Sequence, residues 1–229
     1  MKQRSFKKFL FEFLSVFFAI IFAFLLDRWN DDRKERLSEK TILTELYNGL
    51  ARDSIDINND SQTIKFNIQA VSYFRRIVDN IEVDQDSLAS YYFFLTRDFL
   101  TIQNTSGYET LKSMGLEIVE DDSLRKSIID LYEVSYELHR KFTEEYDENK
   151  YMRHYFVPIN NAIAPHLIFD RAGNITGINQ PINLSLEERN MVKSYLWRLQ
   201  LNRLDRKNAL TGNISKVAEV RAQIRKYLK

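Results

Sequence analysis

The hydrophobic pattern changes character near residue 30. From Phe9 to Leu26 the chain is apolar at nearly every position, a run of 18 residues that spans about 27 Å as a helix and so matches a bilayer core. Beyond it, apolar residues recur every three or four positions. Leu43, Leu46, Tyr47, Leu50 and Ile57 form one such series and Ile64, Ile68, Val71, Phe74 and Val78 a second. The polar Asn58–Ser61 between them predicts a turn, so the two series read as antiparallel helices.

Further along, Asp86-Ser87 opens a helix carrying Tyr91, Tyr92, Phe94 and Leu95, and the Ser106/Glu109 capping box begins a short helix that ends near Gly115. Asp122-Ser123 starts a longer one. Its apolar stripe is Ile128, Leu131, Tyr132, Ser135, Leu138 and Phe142, and Pro158 is expected to stop it after Phe156. Residues 157–184 hold all three prolines and read as irregular, with a small hairpin over Leu167–Ile178 turning at Gly173-Asn174. A second capping box, Ser185/Glu188, opens a helix with Met191, Tyr195, Leu196 and Leu199 on its core side, and Gly212-Asn213 separates a last basic helix.

The expected fold is therefore mainly α: a single N-terminal transmembrane helix followed by an α-helical bundle with one irregular excursion. Its segments are a basic tail over 1–8, the membrane helix over 9–26, a helical stalk over 27–58 and a soluble domain over 59–229. Composition agrees, since 44% hydrophobic residues supply a core while only 6 Gly and 3 Pro are too few for the turns of an all-β fold. The absence of cysteine excludes disulfides, thiolate metal sites and cysteine nucleophiles.

The net charge of +1 conceals an asymmetry. Residues 1–36 hold eight bases against five acids, which leaves the remainder slightly acidic, without the basic footprint of a nucleic-acid binder. The partners expected are the membrane and either a second copy or another membrane protein.

A cleaved signal peptide and a buried core helix are the alternatives for residues 9–26. The run passes directly into Asp27-Arg28 without a small-residue cleavage site, and it is apolar on every side, so a retained anchor is favoured. Trp29 then falls at the headgroup level, with Asn30 beside it, as interfacial anchors. Lys2, Arg4, Lys7 and Lys8 precede the helix with no acid among them, which favours a cytoplasmic N-terminus in a bacterial inner membrane and a periplasmic domain.

Glu12 is the ionisable group within the run. It either snorkels to the headgroups, paired with Lys8 a turn earlier, or faces protein. The second reading rests on spacing: Glu12, Ser15, Ala19 and Ala23 follow at three, four and four residues, which gathers the acid and the small residues on one stripe of the kind that lets membrane helices approach.

Phe11-Glu12, the apolar run, Trp29-Asn30, Arg33-Lys34 and Leu43–Leu46, followed by Tyr108–Leu116, Asp122–Arg125 and Ile128–Tyr132, are similar to a bacterial membrane-protein family designated domain of unknown function 6090. The resemblance covers about half the chain and implies a membrane-anchored helical protein, singling out Glu12, Trp29 and Asn30. The family pattern usually carries a glycine immediately before the membrane glutamate and more glycine within the helix, whereas here Phe11 precedes Glu12 and Ala19 and Ala23 supply the small residues.

Candidate chemistry is sparse. His139, His154 and His166 lack the spacing of a metal pair, and His139, among Glu133, Glu137 and Glu144, reads as a solvated residue on a charged helix face. Glu117–Asp122 is acidic but lacks the order of a calcium loop. No phosphate-binding loop, dinucleotide loop or nucleophile elbow occurs, so no catalytic, cofactor-binding or metal residues are expected and no cofactor is implied. The expected function is that of a non-enzymatic membrane-anchored interaction or scaffold protein. The alternatives are an accessory subunit of an ion-coupled membrane machine using Glu12, and a membrane-tethered small-molecule sensor or enzyme with its site under residues 157–184.

Overall fold

The computed structural model describes residues 2–97, 102–147, 150 and 152–229; the side chains of residues 2–10, 12, 152 and 153 lie outside the description. Helix α1 (Lys2–Val78) is a single rod of 77 residues, about 115 Å long. The turn expected at Asn58–Ser61 does not form. No glycine or proline interrupts residues 50–80, and the apolar phase runs through the polar tetrapeptide without a reset. Leu43, Leu50, Ile57, Ile64, Val71 and Val78 recur every seventh residue and are fully buried. Glu39, Leu46, Asp53, Asp60, Asn67 and Phe74 fill the complementary heptad position and are buried as well.

Helix α7 (Leu186–Tyr227) is the partner of this seam. Its buried residues, Val192, Leu196, Leu199, Arg203, Arg206, Leu210, Asn213, Val217, Val220 and Ile224, alternate spacings of four and three. The pair is antiparallel: Lys193 bonds Asp79, Arg75 bonds Gln200, and Arg221 lies over the Tyr47 ring. Each aliphatic side chain buried here contributes about 1.5–3 kcal/mol. Gly212 therefore does not divide α7. It sits in open space with the seam continuous on either side, and a single helical glycine costs only about 1 kcal/mol. The same phase places Val192 in the core and leaves Met191, expected inside, 49% exposed.

α1 stops where Asn80 adopts a left-handed conformation (φ 56). The Asn80 N–H donates to Ile77 O and the Ile81 N–H to Arg76 O, a Schellman closure. The Asn80 amide then clasps Ile182 through both its backbone groups, fixing the excursion to the end of the rod.

Between the two long helices the chain builds a lateral layer. α2 (Leu88–Thr96), α3 (Ser106–Met114) and α4 (Asp122–Ile129) lie in it, and π-helical turns at Asp130–Tyr136 and Lys141–Glu145 flank α5 (Glu137–Arg140). Ser106 does not form the expected capping box; the Asn104 carboxamide oxygen accepts its N–H and its hydroxyl instead. Gly107 permits close approach to the rod, since a Cβ there would stand 3.2 Å from Leu46 Cδ2. The widened π turns rotate the stripe expected after Asp122, so that Tyr136 and His139 are buried and Leu138 is 66% exposed. The helix does not run unbroken to Phe156, because Tyr146 is extended. Pro158 interrupts nothing: it lies in the first turn of α6 (Val157–Ile163), directly after a π-helical turn over Met152–Phe156, and a widened turn of that kind is where a helix can take a proline.

Strands β1 (Leu167–Phe169) and β2 (Ile175–Ile178) form the expected hairpin, turned by Gly173 at φ 84 with the Asp170 carboxylate accepting from Ala172 and Asn174. The Ser185/Glu188 capping box is also present, with both reciprocal bonds made. Two apolar clusters result. One surrounds Leu43–Ile64 and the C-terminal half of α7, and the other joins Val71–Val78 to α2, α6 and the hairpin. Tertiary burial on α1 begins at Glu39, so the packed domain includes most of what the sequence assigns to the stalk over 27–58.

Candidate functional site

The region singled out by the sequence is the solvent-facing N-terminal third of α1. Among the described residues one helix is long and apolar enough to cross a membrane, and none of its apolar window is buried by the rest of the chain. Ser15, Ala19 and Ala23 lie along one face of it, and all are exposed. The side chain of Glu12 lies outside the described residues. Trp29 is 59% exposed with the Arg33 guanidinium 6.0 Å over its ring, an aromatic and cationic pair suited to the headgroup level. Asn30 is exposed on the same side as the small residues. Among the described residues, Ser15, Ala19 and Ala23 therefore share an exposed helix face.

Deeper in the domain two polar clusters occupy heptad positions of the seam. In the first, Asp53 is buried and accepts from the Asn104 N–H and from the Tyr136 hydroxyl, each at 2.8 Å. Tyr136 meets Tyr132 edge to face, and Tyr132 stacks on Tyr108 with ring centroids 4.5 Å apart. Burial raises the Asp53 carboxyl, against the pull of its two hydrogen bonds, and burial followed by the Asp53 charge raises Tyr136. A cleft of about 340 Å³ opens beside these rings, rimmed by Lys112, Glu133, Glu137 and Arg140. Both Asp53 oxygens accept hydrogen bonds, so the cluster ties the segment leading into α3 and the π turn to α1.

In the second cluster one Arg206 guanidinium nitrogen donates to both oxygens of Asp60, at 3.0 and 2.8 Å, with both side chains nearly fully buried. Arg203 and His139 are buried beside this pair. The solvated position expected for His139 is therefore corrected: it is 4% exposed, because the preceding π turn rotates it inward. Burial first, and the Arg206 charge second, lower its basicity below the ordinary 6.5, with Asp60 opposing. A histidine depressed in the folded state is protonated first in the unfolded chain, so its contribution to stability is complete above 6.5 and is lost as pH falls through that value toward the folded one. Denaturant titrations of wild type and His139→Gln from about pH 7 to pH 5 should show the wild type losing up to about 1.4 kcal/mol per pH unit more than the variant. Equal slopes would place His139 in solvent.

A second hollow, of about 560 Å³, is lined by Asp147, His154, Tyr155, Ser194, Tyr195, Trp197 and Arg198. His154 Nε2 lies 2.8 Å from the Asp147 carboxylate, but the Ser194 hydroxyl donates to Met191 O at 2.7 Å. The serine proton is thus committed to backbone, away from the histidine that a nucleophile needs. Among the described residues no three His, Asp or Glu side chains converge as a metal site would require. Neither hollow draws a lining residue from 157–184, and Ile159, Ile163, Ile178 and Ile182 are buried in one apolar cluster with Phe74 and Ile77.

Protein-family models, curated proteins and solved structures were compared with this chain, and none matches. The functional reading therefore rests on this chain's own geometry. The buried polar residues were the part that pattern reading missed, although a signal existed: Asp53, Asp60 and Asn67 are spaced by sevens and in phase with Leu46 and Phe74. A polar residue at a core position announces a buried partner.

Proposed function

We propose that this protein is a membrane-anchored, non-enzymatic interaction module whose membrane helix associates with a second copy or with another membrane subunit, and whose helical domain is held rigidly to that helix. The observation that carries the reading is the continuity of α1. The same unbroken helix supplies the exposed apolar segment and the central seam of the domain, so a tilt or rotation imposed in the membrane reaches Asp53 and Asp60 without passing through a hinge. Between Leu26 and Glu39 lie about three and a half turns of solvated helix, close to 20 Å, which sets the domain just beyond the headgroups. The basic residues before Phe9, unaccompanied by acids, favour a bacterial inner membrane with the N-terminus cytoplasmic and the domain periplasmic.

The test is the mass of the full-length protein in mild detergent, with co-purifying components identified, beside Ala19→Leu. Wild type should run as a defined oligomer or complex, and the bulkier leucine should reduce that species several-fold by separating the helices. A monomer without partners in both proteins would overturn the reading.

A further inference from the structure

On α1 the heptad position opposite the buried seam, which in an ordinary amphipathic helix is the most highly charged, carries no charge from Thr41 to Gln69, between Lys34 and Arg76. Thr41, Asn48, Ile55 and Gln62 occupy it, flanked by Leu37 and Phe66, and all six are exposed. Leu37 is 58%, Ile55 62% and Phe66 47% exposed, the last partly covered by Phe94. The Thr41 hydroxyl is satisfied by Leu37 O at 2.8 Å, which leaves its methyl as outward surface. The line extends for about 45 Å.

This line is in phase with the membrane stripe. Ala19, Leu37 and Ile55 are spaced by 18 residues, about five whole turns, so in a straight helix they share one face. From the geometry we infer that α1 is a dimerisation helix over its whole outward face, pairing in parallel with α1 of a second copy from the bilayer to Phe66.

The chemistry of the face selects a second copy over an unrelated partner. Two copies inserted in one membrane are necessarily parallel and at the same depth, so each residue near the two-fold axis meets its own counterpart. Like charges there would repel, and between Leu37 and Phe66 the central line has none. The amides of Asn48 and Gln62 donate and accept, so each can pair with its own copy. On one side of the line stand Lys40 and Lys65, and on the other Glu45 and Asp56 with Arg52 among them; in a parallel pair the Lys40 and Glu45 positions, five residues apart, face one another with opposite sign, as positions bordering a coiled-coil seam do. The second seam lies opposite the first, so dimerisation leaves the packing of α1 on α7 untouched.

The inference deepens the association proposed above, and cross-linking separates the two. The chain has no cysteine, so single substitutions in the full-length protein in native membranes report contacts directly under mild oxidation. Leu37→Cys, Asn48→Cys and Ile55→Cys should give covalent dimer at least several-fold above Ser113→Cys on α3 and Asn208→Cys on α7, both exposed elsewhere. Adding Ile55→Asp, which removes an exposed side chain from the monomer but places like charges together in the dimer, should abolish the Leu37→Cys product. Dimer at Ala19→Cys without dimer at 37, 48 and 55 would overturn the extended face and leave membrane association standing. Dimer at 37, 48 and 55 without dimer at Ala19→Cys would uphold the domain face and remove the membrane stripe. Dimer at no position overturns both, and equal yields at the Ser113 and Asn208 controls overturn the inference by marking random collision.

Discussion

Asp60→Ala should destabilise the domain by about 3–5 kcal/mol, because it removes the carboxylate that receives the Arg206 guanidinium at the α1/α7 seam. The pair is 2.8 Å apart and its side chains are only 7% and 4% exposed, so solvent cannot take over the lost bonds. Arg203, whose basicity burial and then Arg206 lower while Asp60 supports it, loses the same neighbouring charge. The double substitution Asp60→Leu/Arg206→Met should recover most of the loss, since an apolar pair of comparable bulk removes the desolvation of both ions together. Urea titrations followed by Trp197 fluorescence in a Trp29→Phe background read the domain alone. A loss under about 1 kcal/mol for Asp60→Ala, the range of exposed ion pairs, would contradict the buried geometry.

Asn59→Pro should cost about 3 kcal/mol or more. Asn59 is exposed and its own side chain is dispensable, so the effect isolates the backbone: the proline loses the N–H that bonds Ile55 O in the rod and its ring collides with that carbonyl. In a turn over Asn58–Ser61 the same change would be tolerated or mildly stabilising. The urea midpoint therefore distinguishes a continuous α1 from two antiparallel helices, and an unchanged midpoint would restore the turn.

The polarity of Asn58–Ser61 reads locally as a break, and these residues are poor helix formers in isolation. What holds them helical is distant in sequence. Asp60 finds Arg206, Ile57 and Ile64 continue the seam on either side, and four residues of modest propensity cost less than burial along that seam contributes. Gly212 is overridden in the same way, its weak propensity outweighed by Leu210, Asn213 and Val217 in register with α1. At Asn80, by contrast, local chemistry and tertiary need coincide: a residue that tolerates positive φ ends the helix, and its side chain ties down the excursion. That Ser15, Ala19 and Ala23 share one face of α1 follows from their spacing, because a helix fixes which residues share a face whatever surrounds it.

The mainly helical class, the apolar N-terminal helix, the hairpin at Gly173 and the cap at Ser185 can be read along the chain, each governed by periodicity or turn chemistry within a few residues. That residues 2–78 form one rod, that Asp53, Asp60 and His139 are interior, and that the outward line from Leu37 to Phe66 stays exposed are consequences of long-range packing. These depend on which helix packs on which, and the balance between burying a polar residue and exposing it is set by a partner more than a hundred residues away in the case of Asp60.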